Sequence, residues 1–173
     1  MGMKTFTRIL YSIVLLLSCS CINDEPTDVE EVVTLGSTLP DFAVVMNDGT
    51  TLTGEMLRSR DAVIMFFHTS CPDCRQALPL MQQLYDVYVQ EGVMFALISR
   101  EEDDASVSAY WEESGFTMPY SAQSDCKVYE LFARRRVPRI YMNDSRGVVR
   151  HIFTDDPVPS YENLVEALEE ILL

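Results

Sequence analysis

The pattern of apolar and polar residues predicts alternating strands and helices from about residue 35 to the C-terminus. Residues 62–67 and 93–99 form two nearly continuous apolar runs, which are typical of central strands covered on both faces. From about residue 72 to residue 90, apolar residues recur close to a 3.6-residue period, which predicts a long helix. Because this helix connects the two buried strands, we expect the strands to be parallel.

Shorter patterns complete the predicted sheet and its helical layers. Asn47-Asp48-Gly49 predicts a tight hairpin turn, since glycine accepts a positive φ and asparagine and aspartate tolerate it. Pro79 should kink the long helix, because proline lacks a backbone N–H. We therefore predict an α/β fold with a mixed central sheet, helices on both faces and an N-terminal β-hairpin extension. The other predicted elements are strands at 42–46, 50–53, 139–142 and 148–153, a helical turn at 55–58, a helix that stops at residue 115, a short helix at 127–132, a turn at 143–147 and a last helix from about residue 161.

The composition fits one folded domain with a short appendage. The chain has 173 residues, of which 47% are hydrophobic and 23% are charged, as is typical of globular proteins. Wholly disordered, collagen-like and multi-span membrane chains are therefore excluded. The 13 lysines and arginines against 27 aspartates and glutamates give a net charge of −14. This balance argues against nucleic-acid binding, because phosphate recognition needs clustered basic residues.

Residues 1–18 have the layout of a secretory signal peptide of the lipoprotein type. Two basic residues precede an apolar run at residues 9–17, which is much shorter than the roughly 20 residues of a bilayer-spanning helix. The run ends in Leu16-Leu17-Ser18-Cys19, which resembles the bacterial lipobox. That resemblance implies that Cys19 becomes the lipid-modified first residue. Lipidation of Cys21 and an ordinary signal peptide are the alternatives.

Residues 19–34 are acidic and show no periodic pattern. We predict that they form a tether between a membrane and a domain comprising residues 35–173, because like charges repel one another and extend a chain. Export would place the protein in the cell envelope, lipid-anchored and either facing the periplasm or at the outer membrane. Cysteines in that compartment are open to oxidation, so the spacing of the cysteines bears on function.

Two cysteines lie where the first buried strand is predicted to end and the long helix to begin. In Cys71-Pro72-Asp73-Cys74, the i, i+3 spacing places both sulfurs on one face of the first helical turn, and Pro72 suits that turn. The partial positive charge of a helix N-terminus stabilises a thiolate at the first cysteine. Cys71 is therefore the candidate nucleophile that attacks a disulfide, and Cys74 is the candidate resolving thiol. Zinc binding and a structural disulfide are the alternatives.

The residues around this motif resemble those of the thioredoxin-like superfamily, specifically the TlpA/ResA-type envelope thiol–disulfide oxidoreductases. The resemblance runs from about residue 35 to the C-terminus. The family implies a cis Val137–Pro138 bond that packs against the two cysteines and exposes the Val137 backbone for strand-like pairing with a substrate. A trans Pro138 that starts a strand is the alternative. The matching residues are Gly36, Pro40-Asp41-Phe42, Asp48-Gly49, Phe66-Phe67-His68-Thr69-Ser70-Cys71-Pro72-Asp73-Cys74-Arg75, Pro79 and Val137-Pro138.

Three positions depart from the family pattern. Ser70 stands where the family usually has tryptophan, which removes part of the apolar surface around the site. Met65 stands where many thioredoxins bury an acidic residue that takes the proton from the resolving thiol, so the sequence identifies no proton acceptor for Cys74. Water, or a glutamate or aspartate that the fold brings to the site, are the options. His68, three residues before Cys71, either stabilises the Cys71 thiolate or is a polar residue at a strand end.

Charged residues near the two cysteines bear on their redox potential and on the surface beside them. The negative charge of Asp73 disfavours a thiolate and makes the disulfide less oxidising, which predicts a reductase-leaning potential; alternatively, Asp73 simply stabilises the helix start. Arg134-Arg135-Arg136 precedes Val137-Pro138. This run either presents a basic rim to an acidic partner or forms ion pairs with the acidic surface. Cys126 is expected to be a buried, inert thiol, and a regulatory third thiol is the alternative.

The predicted function is that of an exported, lipid-anchored thiol–disulfide oxidoreductase with no cofactor beyond the redox-active pair Cys71–Cys74. The family resemblance implies disulfide-containing envelope proteins as substrates, with apocytochromes among the candidates, and a membrane reductant of the DsbD or CcdA kind. One alternative is a peroxiredoxin-like peroxide reductase, although those enzymes have threonine where this chain has His68. Another is Sco-like metal handling, in which His151 would join the cysteines.

Overall fold

The computed structural model describes residues 31–173. The predicted signal peptide at residues 1–18, the predicted lipidation site Cys19 and most of the predicted tether lie outside the described residues. Residues 31–34, which the sequence assigned to the tether, instead pack on the domain. Val33 is buried, its amide donates to the Phe132 carbonyl at 2.9 Å, and Glu31 forms a β-bridge with Ala133. The folded part therefore includes these residues, because a buried valine and paired amides hold them there.

A five-stranded mixed sheet forms the centre of the domain, and a two-stranded hairpin precedes it. The strands are β1 (Ala43–Val45), β2 (Thr51–Thr53), β3 (Ala62–Phe67), β4 (Met94–Ser99), β5 (Tyr120–Ser121), β6 (Arg139–Asn143) and β7 (Val149–Phe153). The main sheet has the order β5-β4-β3-β6-β7. β3 is parallel to β4 and β4 to β5, whereas β6 is antiparallel to both β3 and β7. Every residue of β3 is buried, as expected for a central strand.

The α-helices within residues 31–173 are α1 (Gly54–Arg58), α2 (Pro72–Tyr88), α3 (Asp104–Ser114) and α4 (Tyr161–Leu172). The side chains of Thr53, Asp103 and Ser160 cap α1, α3 and α4, because each accepts a hydrogen bond from a free backbone N–H of the first turn. α2 begins differently: Cys71 occupies the N-cap position without a side-chain capping bond. None of these helices is long and apolar enough to cross a membrane.

Helices and connecting segments cover both faces of the sheet. Neighbouring residues of a strand point to opposite faces. Phe67 packs against Trp111 of α3, with ring centroids 5.1 Å apart. Its neighbour Phe66 packs against Phe132 at 4.8 Å and Tyr129 at 5.4 Å. The predicted α/β architecture, with a mixed sheet between two layers and a preceding hairpin, is confirmed.

The N-terminal hairpin is attached to the edge of the main sheet. β1 and β2 pair antiparallel, and Gly49 in the turn has φ +83°, the left-handed region that glycine enters without strain. The amide of Asn47 donates to the Tyr120 carbonyl at 2.8 Å, and the Tyr120 amide donates to the Asn47 side chain at 3.1 Å. The turn that the sequence predicted therefore also docks the hairpin onto β5.

Three elements differ from their predicted form. β5 was not predicted, because two residues are too short to show a period. The helix predicted at 127–132 is a single 3₁₀ turn at Tyr129–Leu131. The long helix ends at Tyr88 and is followed by a 3₁₀ turn at Val89–Glu91, after which Gly92 has φ +90°. α2 is a single helix that includes Pro79.

Candidate active site

The loop between β3 and α2 places the two cysteines at the edge of the sheet where the parallel strands end. The Cys71 amide donates to the His68 carbonyl at 3.0 Å, and the Arg75 amide donates to the Cys71 carbonyl at 3.0 Å, so the loop passes directly into the helix. Cys71 is half-buried at the tip of α2, whereas Cys74 is completely buried on its inner face. Both are free thiols, and their sulfurs lie in hydrogen-bonding contact. The structure therefore brings the predicted pair together.

The buried thiol has strongly perturbed electrostatics. Burial raises the pKa of Cys74 well above its usual range, because a thiolate loses hydration there. The contact with Cys71 and the charge of Asp73 raise this pKa further, and a hydrogen bond from the His68 backbone opposes them. Cys74 is therefore a neutral thiol at physiological pH. Cys71 is the sulfur that a partner can reach.

The segment before β6 lies directly beside the exposed sulfur. The Val137–Pro138 peptide bond is cis, as the family resemblance implies, and both residues are buried. The Cys71 thiol donates to the Val137 carbonyl at 3.3 Å. Val137, which is predicted to dock a substrate, thus lies in contact with the predicted nucleophile, although the two residues are 66 positions apart in the chain.

A buried carboxylate that the sequence analysis missed holds the same loop. Glu102 follows β4, and its side chain is only 7% exposed. It accepts hydrogen bonds from the Thr69 amide at 2.8 Å and from the Thr69 hydroxyl. The Thr69 carbonyl in turn accepts from the Arg75 guanidinium at 2.5 Å. The position of Glu102 in the sequence could have indicated its role. An acidic residue just after a strand parallel to β3 must lie at the edge of the sheet where the cysteines lie.

The three positions that depart from the family pattern, His68, Ser70 and Met65, differ in their contacts and burial. Nδ1 of His68 lies 3.5 Å from a Glu102 carboxylate oxygen and 3.1 Å from the Ser70 amide. His68 therefore forms part of the loop network rather than facing only the solvent. Ser70 is exposed, so the site has a polar residue at its rim. Met65 is fully buried in the core and supplies no acid–base group.

The arginine run borders the site on the Val137 side. Arg134, Arg135 and Arg136 are all exposed. Arg136 has φ +66° and lies 3.7 Å from a carboxylate oxygen of Asp155. This contact favours the hypothesis that the run forms ion pairs with the acidic surface.

The remaining candidate residues lie in other surroundings. His151 pairs with Met142 of β6, toward the end of the sheet remote from Cys71, and its ring contacts Glu170 at 3.2 Å. Among residues 31–173, no group of three or more histidine, cysteine or acidic side chains is arranged to hold a metal ion. Cys126 is half-buried rather than buried as predicted; burial and the neighbouring Glu101 raise the pKa of its thiol.

The fold and the paired cysteines define a thioredoxin-like thiol–disulfide oxidoreductase. Residues 35–152 match the AhpC/TSA family, and the chain belongs to that family. The chain is also similar to the thiol-disulfide oxidoreductase ResA of Geobacillus thermodenitrificans, with 27% identity over 139 residues that cover 80% of this chain and 79% of that protein.

Solved structures show the same fold. A thiol:disulfide interchange protein of the thioredoxin family from Chlorobium tepidum superimposes with a TM-score of 0.70 at 21% identity, covering 81% of this chain and 99% of that one. An exposed lipoprotein thioredoxin from Streptococcus pneumoniae has a TM-score of 0.65 at 15% identity, covering 76% of this chain and 99% of that one. These similarities confirm the thioredoxin-like fold.

Proposed function

We propose that this protein is a lipid-anchored oxidoreductase of the cell envelope that reduces disulfides in other envelope proteins through Cys71-Pro72-Asp73-Cys74. The observation that carries the proposal is the unequal exposure of two sulfurs in contact. Cys71 is accessible at the start of α2, and Cys74 is buried behind it. A foreign disulfide can therefore reach only one sulfur, while the second is positioned to complete the exchange.

The proposed reaction transfers two electrons to the substrate. The Cys71 thiolate attacks one sulfur of the substrate disulfide, forms a mixed disulfide and releases the other substrate sulfur as a thiolate, which then takes up a proton. Cys74 loses its proton and attacks the sulfur of Cys71, which releases the second substrate thiol and leaves a Cys71–Cys74 disulfide. A membrane reductant of the DsbD or CcdA kind then returns both cysteines to thiols. The cysteine pair is the only redox group that the cycle needs.

Val137 and Pro138 are proposed to dock the substrate chain. The thiol of Cys71 already contacts the Val137 carbonyl. A substrate strand that pairs with the backbone of Val137 would bring its disulfide onto this sulfur, since strand pairing fixes backbone position and leaves side chains free to vary. This arrangement suits a protein that acts on several substrates.

The redox direction is proposed to be reductive. Burial of Cys74 and the charge of Asp73 both favour the neutral thiol, and a couple whose thiols ionise poorly has a less oxidising disulfide. We expect the reduction potential, measured in glutathione or dithiothreitol redox buffers, to lie below about −200 mV. Asp73→Asn should make it less negative by about 10–30 mV. A wild-type potential near −120 mV, as in strong oxidants, would exclude the reductive direction.

Lipid anchoring is tested by a matched pair of cysteine variants. We expect Cys19→Ala expressed in a bacterial host to lose labelling by a radioactive fatty acid and to leave the membrane fraction. Cys21→Ala should keep both properties, because only Cys19 follows the lipobox-like residues. Loss of labelling in Cys21→Ala alone would place the lipid anchor at that residue. Absence of labelling in the wild type as well as in both variants would refute lipid anchoring.

The central test is capture of substrates on Cys71. In Cys74→Ser, the mixed disulfide cannot be resolved, so partners should accumulate as bands that disappear on reduction and can be identified by mass spectrometry. The double variant Cys71→Ser/Cys74→Ser is the control, since it keeps the fold and lacks the nucleophile. Equal band patterns for the two proteins would refute the function. Consumption of hydrogen peroxide by the wild type, without captured proteins, would instead favour peroxide reduction.

A further inference from the structure

The ring of His68 lies between two groups that compete for the same nitrogen. Nδ1 is 3.1 Å from the Ser70 amide nitrogen and 3.5 Å from a carboxylate oxygen of Glu102. The amide can only donate a hydrogen bond, and the carboxylate can only accept one. Nδ1 satisfies the amide when it carries a lone pair and the carboxylate when it carries a proton. The two contacts therefore belong to different protonation states of the ring.

The observed geometry is that of the neutral ring. The direction of a backbone N–H is fixed by the peptide plane, and the N–H of Ser70 points at Nδ1 of His68. Nδ1 is therefore an acceptor, and the neutral ring carries its proton on Nε2. The Ser70 hydroxyl also contacts Nδ1, at 3.0 Å. A hydroxyl group can donate or accept, so this second contact is compatible with both protonation states.

The bond to the Ser70 amide lies at the point where the loop becomes the helix. The Cys71 amide donates to the His68 carbonyl at 3.0 Å, and the His68 backbone donates to the Cys74 sulfur. The side chain of Cys71 gives α2 no capping bond, so the ring of His68 fixes the residue that precedes the N-cap. A thiolate is stabilised at a helix start only while it is held there. The ring is therefore placed to control the reactivity of Cys71.

Glu102 is the alternative partner of the ring. Among residues 31–173, it has the only carboxylate within ion-pair distance of His68. Arg75 of α2 donates to the Thr69 carbonyl at 2.5 Å and so holds the other side of the loop. The other charged and titratable groups of the elements that meet at this loop are Cys71, Asp73 and Cys74 at the start of α2, Arg100 and Glu101 after β4, Asp103 and Asp104 at the start of α3, and Arg134, Arg135, Arg136 and Arg139 beside Val137.

We propose that His68 is a positioning residue that holds the loop before Cys71 only while its ring is neutral. Protonation turns Nδ1 into a donor to Glu102, so the Ser70 amide loses its acceptor and Cys71 is held less firmly at the helix start. Histidine changes its charge between about pH 5 and pH 8, so the reactivity of Cys71 should fall on acidification within that range. The inference rests on the proposed function, because it names a regulation of the same site.

The test measures how fast iodoacetamide modifies Cys71 in the reduced full-length protein from pH 5 to pH 8, by mass spectrometry of the Cys71 peptide. The rate of the wild type is divided at each pH by that of His68→Asn, which cancels the shared change in thiolate fraction. Asparagine is the reference, because its side-chain oxygen accepts from an amide two residues later and carries no charge. We expect this ratio to fall about threefold from pH 8 to pH 5, as for the loss of one hydrogen bond.

Three control variants locate the effect. His151→Asn makes the same substitution at the second histidine of the chain, which contacts Glu170 at 3.2 Å, and it should keep the pH profile of the wild type. Ser70→Ala keeps the amide and removes the hydroxyl, so it should also keep the pH response. His68→Ala has no acceptor for the amide, so its Cys71 should react about threefold more slowly than that of His68→Asn at pH 8.

The outcomes separate this proposal from the proposed function. A ratio that rises on acidification would show that the charged ring stabilises the Cys71 thiolate, and it would overturn the positioning role. A ratio that is independent of pH, equal rates for His68→Ala and His68→Asn, or loss of the pH response in Ser70→Ala would overturn it as well. None of these results affects the oxidoreductase function, which would be overturned separately if the wild type failed to reduce hydroxyethyl disulfide.

Discussion

Removal of the Glu102 carboxylate tests how the loop before Cys71 is held. This carboxylate accepts from both the amide and the hydroxyl of Thr69, and both residues are buried. Hydrogen bonds to a charged group contribute about 1.5–3 kcal/mol, and a buried donor left without an acceptor costs about 1–3 kcal/mol. We therefore expect Glu102→Ala to lower the free energy of unfolding by about 3 kcal/mol, after allowance for partial relaxation of the loop.

Glu102→Gln separates the shape of the side chain from its charge. The amide oxygen of glutamine can still accept from Thr69, so the expected loss is about 1 kcal/mol. The matched control is Glu101→Gln, which removes the same charge from the neighbouring residue, whose side chain is 58% exposed. Surface substitutions of this kind usually change stability by less than about 0.5 kcal/mol.

The assay is urea unfolding of the reduced proteins, followed by circular dichroism and tryptophan fluorescence. A second measurement is the rate at which each folded variant reduces hydroxyethyl disulfide. We expect Glu102→Ala to be slower than Glu101→Gln, because the loop that positions Cys71 has lost its anchor. The reasoning is refuted if Glu102→Ala unfolds within about 0.5 kcal/mol of the wild type, since the bonds to Thr69 would then contribute nothing measurable.

Three further predictions concern the cysteines and the remote end of the sheet. Iodoacetamide should modify Cys71 well before Cys74 in the native reduced protein, because Cys74 is buried and its pKa is raised; mass spectrometry of timed samples checks the order, and simultaneous labelling would contradict it. Burial opposes ionisation of Asp144, but hydrogen bonds from Arg150 and from backbone amides lower its pKa to about 2. We therefore expect Asp144→Asn to lower the free energy of unfolding, measured in urea, by about 1–2 kcal/mol at neutral pH. The full loss should persist above about pH 4 and should shrink as the pH falls through 2, and a loss independent of pH would contradict this. Asn143→Ala should cost about 2–3 kcal/mol by the same assay, because the buried amide group donates to three carbonyls, and a loss below about 0.5 kcal/mol would show that these bonds do not matter.

The sequence contained enough information for the parts of the fold that depend on local patterns. β3 was predicted at its observed bounds, because an apolar run bounded by polar residues marks a strand covered on both faces. The start of α2 followed from the position of Pro72, since proline lacks the N–H that the first helical turn leaves unpaired. The juxtaposition of Cys71 and Cys74 followed from helical periodicity.

Long-range pairing determined the features that could not be predicted. β5 contains only Tyr120 and Ser121 and is defined by pairing with β4, so nothing in its local sequence distinguishes it from a loop. Glu102 belongs to a run of four acidic residues, and only the parallel pairing of β3 with β4 makes it the buried member of that run. The packing of Val33 similarly depends on partners about 100 residues away.

The difference between the two sulfurs also bears on how the proposed reaction could proceed without the acidic residue that Met65 replaces. Cys74 must lose its proton before it can attack the mixed disulfide, and burial opposes that loss. In the proposed cycle, however, the first exchange releases a substrate thiolate at the site. The thiol of cysteine has an ordinary pKa of about 8.5 and a carboxyl group has one of about 4, so a thiolate is a stronger base than a carboxylate. In the proposed cycle the substrate therefore brings a proton acceptor that is present only after Cys71 has reacted, and Cys74 remains a thiol until a mixed disulfide is there to be resolved.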